Sequence, residues 1–433
     1  MYRFMFLLIV ALFVGCDTGS NSSSGSSAYI DSEDLGNATD PLVVMDGNGN
    51  GLAIWEQSDG NVTNLWTNYY NGSSWGTAEK IEFDDTADIG EYDLEFDGSG
   101  NAIVIWDQGE ILYFSYFDNS TLTWSSPETL ITDEDYLSYT ADVTNPKLAV
   151  NDNGDAAVVW KYELTIDSTY CCIYENGSWG SVKKLGSSIY RSASPEVDID
   201  SEGNVMTIYR QYGSGRYKIK ACYYDSSEAS WDTALEIESV DSSSGILPMC
   251  IFDSNGDVLA IWKYGNYSVY FNKYSDPSWD TAEQLNSSSD YYIGQVRIAE
   301  DGNGNRLAVW KQVSNSEYLV NTKYYNGTEW EDTVVIEVTT TDTDITNTDN
   351  TCPVIAMDSD GIGYISWTEQ FNDLDTVLFS TFENGEWSTP ITISSNTLDD
   401  AEVTGIAADD SGTGIVIYSE SDGTYDNIKS YHF

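Results

Sequence analysis

Histidine is almost missing from this 433-residue chain; the one present is His432, beside the C-terminal residue. Ser-His-Asp and Cys-His catalysis and multi-histidine metal sites are thereby excluded. Basic residues are scarce as well: 18 Lys and Arg stand against 71 Asp and Glu, a formal charge of −53. Such a field repels nucleic acid and anionic lipid, so neither is an expected partner. Long apolar runs are absent after Val14, and no sustained helical period appears. The chain is nevertheless 41% hydrophobic and 13% aromatic, the composition of a folded acidic protein and not of a disordered one.

Met1-Tyr2-Arg3 and the apolar run from Phe4 to Val14 have the grammar of a secretory signal, too short to span a bilayer as a mature helix. The run ends in Leu12-Phe13-Val14-Gly15-Cys16, which resembles the lipobox of bacterial lipoproteins. That resemblance implies a signal peptide over 1–15 and diacylation of Cys16, with the membrane engaged through the lipid anchor only. Asp17 resembles an inner-membrane retention signal of enteric bacteria. Gly19 to Ser27 is Gly, Ser and Asn, a flexible spacer, so 16–34 reads as a tether plus a closing strand.

The remainder, 35–433, repeats. An Asp or Asn, a Gly-containing turn, an apolar run and an aromatic recur eight times: Asp46 to Trp55, Asp97 to Trp106, Asn151 to Trp160, Asp200 to Tyr209, Asp253 to Trp262, Asp301 to Trp310, Asp358 to Trp367 and Asp409 to Tyr418. The closing aromatics lie 48 to 57 residues apart, the period of propeller blades, without the kelch double glycine. The first unit parses into four strands: Leu42 to Met45, Gly51 to Trp55, Asn64 to Tyr70 and Trp75 to Ile81. The expected fold is therefore all-β, a single eight-bladed propeller of four-stranded antiparallel blades. The last unit lacks a Trp-led fourth strand, so residues around Ala28 to Asp34 are expected to supply it, with N- and C-terminal strands sharing one blade and His432 serving the closing strand.

Thirteen of the fourteen tryptophans sit at repeated positions, which argues for packing between blades over a carbohydrate platform. Asp46-x-Asn48-x-Asn50 superficially resembles a calcium loop, but Gln57 stands where the distal glutamate belongs. A type I turn accounts for the Asp and the Gly. No cofactor is expected, and calcium is only the secondary reading. With sialidase Asp-boxes these turns share just the Asp, the Gly and a later Trp. Cys171, Cys172, Cys222, Cys250 and Cys352 are an odd number, so at least one thiol stays unpaired within the chain, and most are expected as small buried apolar residues.

The residue after the closing aromatic opens a loop and carries the best functional signal. Units three to six place Lys161, Arg210, Lys263 and Lys311 there; the others have Glu56, Asp107, Thr368 and Ser419. The four cations are the candidate ligand-binding residues, a crescent on one face for an anionic glycan or protein ligand. Over 35–433 the chain resembles bacterial envelope lipoproteins built from tandem Trp-ended propeller-type repeats, which implies fold and location but no activity. The expected function is a non-catalytic binding or scaffold protein presenting a propeller face to a glycan, peptide or protein. A carboxylate-dependent, glycosidase-like enzyme is the alternative, and a structural role in envelope assembly the third reading.

Overall fold

The computed structural model describes residues 27–31, 36–82, 86–131, 142–163, 165–187, 189–239, 242–287, 292–314, 317–336, 352–371, 374–395 and 401–433. Cys16, the signal segment and most of the tether lie outside them. Eight antiparallel sheets form the eight blades of a β-propeller, and no helix occurs among the described residues. The first strand of each blade borders the channel: Ala38–Met45, Ile89–Phe96, Asp142–Val150, Ser192–Ile199, Gly245–Phe252, Ile293–Glu300, Val354–Met357 and Ala401–Ala408. First strands of successive blades lie side by side around it. The second strands, such as Gly51–Ser58 and Ala156–Glu163, are buried on both faces because neighbouring sheets cover them, which is why they read as unbroken apolar runs.

The repeated Asp or Asn shapes the hairpin between first and second strands. In blade 1 the Asp46 Oδ1 accepts from the backbone N–H groups of Asn48 and Asn50, and Gly49 takes a φ of +81° that favours glycine. The same pair of bonds recurs from Asp97 to Asp409. The turn itself uses this carboxylate oxygen. Closing aromatics are sealed in the sheets, with Trp55, Trp106, Trp160, Tyr209, Trp262 and Tyr418 all at 0% exposure. The later tryptophans close the seams between blades. Trp179 packs on Phe114 of the preceding blade at 5.7 Å and Trp330 on Phe271 at 5.7 Å, while the Trp387 indole donates to Thr322 at 2.9 Å. All five cysteines in the described residues are free thiols, and only Cys250 is less than fully buried.

Ring closure joins the two ends of the chain. Ser27–Tyr29 pairs antiparallel with Asp426–His432 as the outermost strand of blade 8, slightly earlier than the expected Ala28 to Asp34. Ile30 follows it into the core at 2% exposure and bonds to Ile428, while the Asn68 side chain of blade 1 donates to the Ile30 carbonyl. His432 lies in the blade 8–blade 1 seam, where Trp75 donates to its Nε2 at 3.2 Å and to Ser430 at 2.9 Å. Deleting residues 27–30 exposes the edge of Asp426–His432 and removes one buried isoleucine, worth about 2–3 kcal/mol. The melting temperature of the full chain in detergent is expected to fall by about 3 °C or more; an unchanged melt contradicts this closure.

Candidate functional site

First strands enter the channel through a bulge. In blades 1, 3, 4 and 5 a proline (Pro41, Pro146, Pro195, Pro248) sits where the pairing register slips. The residue before it, Asp40, Asn145, Ser194 or Leu247, has a φ near +50°, left-handed backbone that non-glycine residues adopt at a cost. Bulges re-aim side chains. These four residues all line a cavity of about 630 Å³ at the channel mouth. One position beyond each proline the side chain also turns inward, so Leu42, Lys147, Glu196 and Met249 line the same cavity, joined by Arg297 of blade 6. This mouth, formed where first strands begin and second strands end, is here termed the proline face.

The cavity wall is divided by charge. Blades 1 and 2 present Asp40, Glu56 and Glu91; blade 3 presents Lys147; blade 4, Glu196; blade 5, Leu247, Pro248 and Met249; blade 6, Arg297. Burial pushes Glu56 up to about 7, helped by the negative charges of Asp40, Asp107 and Asp88. Burial also lifts Glu196 to about 7, against the pull of Lys147. Deeper in the channel, burial lifts Asp198 to about 6 although the N–H groups of Phe252 and Ile199 favour its charged form. Glu95 is pushed well above the carboxylate range by burial and by Asp93 and Asp198. Asp93 is raised by burial, and its own charge in turn raises Lys147.

Several of these carboxylates have structural duties. The Asp93 Oδ2 accepts from Leu148 N–H of the next blade at 2.9 Å, and the Asp198 Oδ2 from Phe252 N–H of the next blade at 2.6 Å. Both Glu91 oxygens accept from the Asn145 amide at 2.8 and 2.7 Å. Asp107, lifted to about 7 by burial, accepts from Glu91 N–H. Among the described residues Glu56 has no cationic partner, and the Arg297 Nε has no hydrogen-bond acceptor. Tyr92 donates its hydroxyl to the Asp40 carbonyl, fastening blade 2 to the blade 1 bulge.

Lys161, Arg210, Lys263 and Lys311 occupy one equivalent place in the second strands of blades 3 to 6, on the proline face, and none of them lines the cavity. Lys161 is ion-paired with Glu163 at 2.6 Å. The Arg210 guanidinium lies 4.7 Å from the Tyr217 ring. Lys263 is buried, with its ammonium 4.3 Å from the Tyr292 ring. Lys311 packs on Gly294 and acts electrostatically on Cys352 of blade 7. Among the described residues the cations that line the cavity are Lys147 and Arg297, which no repeated sequence position marks. The residue before each proline was the signal that could have located the mouth.

No protein-family model matches the chain, and no curated protein matches it. Among solved structures the Dos1 propeller is similar over 94% of this chain and 93% of its own, at 10% identity and a TM-score of 0.54. A protein of unknown function from Dyadobacter fermentans covers 94% of this chain and 97% of its own at 10% identity, with a TM-score of 0.45. A PL25 ulvan lyase bound to a GlcA–Rha3S saccharide covers 93% and 94%, also at 10% identity and 0.45. At such identities the first likeness establishes the propeller fold alone, and the other two carry no argument about function.

Carboxyl groups that titrate near 7 in the fold and near 4 in the unfolded chain hold extra protons only in the fold between those values. The stability this lends is complete below pH ~4 and is lost as pH rises through ~7. Raised values at Glu56, Asp107 and Glu196 place the change in that window. The melting temperature should therefore drop by about 3 °C or more between pH ~5 and ~8. Glu196→Gln should flatten part of the drop; a melt that rises over this range contradicts the buried-carboxyl reading.

Proposed function

We propose that the protein is an extracytoplasmic, lipid-anchored binding protein that takes a polar glycan or peptide ligand at the channel mouth of its proline face. The observation that carries this reading is the cavity itself. At about 630 Å³ it lies within the usual range of ligand pockets, and rigid strand starts from seven blades build its wall. Strained bulges and prolines restrict the backbone of that wall, so little ordering entropy opposes binding. The available recognition groups are of both signs, Glu56 and Glu196 against Lys147 and Arg297, with apolar Met249 and Leu247 between. The cations Lys161, Arg210, Lys263 and Lys311 belong to the same proposal as an outer arc. The anchor rests on Cys16 and its resemblance to a lipobox.

Carboxylate catalysis is the second reading, favoured by Glu56, whose raised value near 7 suits a general acid beside Asp40. Against it, the two cavity acids with raised values belong to blades 1 and 4, and Glu91 is held by Asn145. A pair for glycoside cleavage needs two carboxylates within about 5–10 Å of each other.

Glycan and peptide arrays probed with the detergent-solubilised full chain, run beside reducing-sugar release assays, separate the two. Binding without turnover is expected, weakened about tenfold in Arg297→Gln, the order of one lost charge-assisted hydrogen bond. Glycan cleavage abolished by Glu56→Gln would transfer the assignment to catalysis. Cys16→Ala is expected to abolish metabolic labelling with palmitate and to release the protein from membranes; retained labelling contradicts the anchor.

A further inference from the structure

The proline face carries a second feature, outside the cavity and concentrated in blades 4 to 6. Tyr190, Tyr212, Tyr267 and Tyr292 are 40–48% exposed there. Each stands where the chain turns on this face: Tyr190 and Tyr292 just before the first strands of blades 4 and 6, Tyr212 near the end of a second strand, Tyr267 just before a third. The loops are tied together. Tyr212 N–H donates to the Arg191 carbonyl at 2.7 Å, and Ile293 N–H to the Asn266 carbonyl at 2.8 Å.

Two arginines stand among these rings. Arg191 is exposed, and Arg210 pairs in register with Ala193, two residues further on. The guanidinium of Arg210 rests on Tyr217, which in turn meets Tyr212 edge-on at 5.4 Å. Among the described residues neither arginine has a carboxylate partner. On the same blade Arg216 is paired with Glu238 and Lys218 with Glu236. In a chain with 71 acids and 18 bases, two arginines close in register and without a carboxylate partner among the described residues mark a place where an anion from outside is welcome.

We propose that this arc is a docking platform for an acidic saccharide chain, with Arg191 and Arg210 holding its carboxylates or sulfates and Tyr190, Tyr212, Tyr267 and Tyr292 supporting its rings. This deepens the reading of the proline face as a ligand-binding face and rests on it. The exposed tyrosines stand on separate segments of the chain, with Ser214, Gly215, Gly265 and Asn266 in the turns beside them. A protein interface needs a close-packed, desolvated centre. A saccharide uses separated rings, laying an apolar face on each while its hydroxyls remain in water, and guanidinium recognises carboxylate or sulfate through paired N–H donors. Lys263, whose ammonium lies on the Tyr292 ring, pairs in register with Ile246, the neighbour of Leu247 on the cavity wall, so the arc adjoins the mouth.

Calorimetric titration of the full chain in detergent with hexagalacturonate, a heparin-derived hexasaccharide and neutral maltohexaose tests this directly. At least one acidic oligosaccharide should bind, with affinity falling as NaCl rises from about 20 to about 200 mM, and maltohexaose should not. The double variant Arg191→Ala, Arg210→Gln should weaken that binding about tenfold or more, as should Tyr212→Ala, with the melting temperature unchanged. Binding lost in Arg297→Gln but intact in the arc variants would overturn the platform while sparing the cavity reading. Failure of both acidic probes would overturn the platform alone, since a neutral or peptide ligand at the mouth is read independently on the arrays.

Discussion

Eight sheets meeting at a channel share one constraint: the first strand of each has no partner on its inner side. Its channel-facing amide groups must find acceptors among side chains, because an unmet buried donor costs about 1–3 kcal/mol. The ring solves this between blades. Asp93 accepts from Leu148, Asp198 from Phe252, and Thr368 from Val403, each reaching from one blade to the next. Thr404 returns a donor to the Pro41 carbonyl across the join of blades 8 and 1. Carboxylates are therefore present in the channel for architectural reasons, and their electrostatics follow. Held in low dielectric beside one another, they rise toward neutrality and draw in Lys147 and Arg297.

The same constraint gives the mouth its form. Where the first strands begin, bulges with left-handed residues before proline release the chain from regular pairing and turn Asp40, Asn145, Ser194 and Leu247 toward the cavity. Backbone strain is tolerated there because tryptophan-packed seams and the shared blade 8 fix the ring around it. Rigidity of the scaffold and the form of the mouth thus have a common origin.

The blades were legible in the sequence because their markers are local. The Asp-to-Gly turn, the apolar second strand and the closing aromatic each follow from a backbone conformation or from burial on both faces, and each recurs at a fixed period. The channel was not legible. Lys147, Glu196 and Arg297 look like the solvent-side residues of an ordinary alternating strand, and only ring closure makes that side an interior. Glu56 was visible as the acidic counterpart of Lys161 and Arg210, yet its contribution to the cavity depends on Asp40 and Tyr92, brought beside it by a bulge and by the next blade. Arg191 follows no repeat at all, so periodicity could not nominate it.

Inner-edge carboxylates of the channel are held in an interior that raises their proton affinity. Side-chain carboxyl ¹³C titration of the Asp- and Glu-labelled full chain measures this most directly, with the Glu196 and Asp198 signals assigned by their loss in Glu196→Gln and Asp198→Asn. The account predicts midpoints of about 7 for Glu196 and about 6 for Asp198. Midpoints near 4 for both, the value of carboxyl groups in open water, would contradict it.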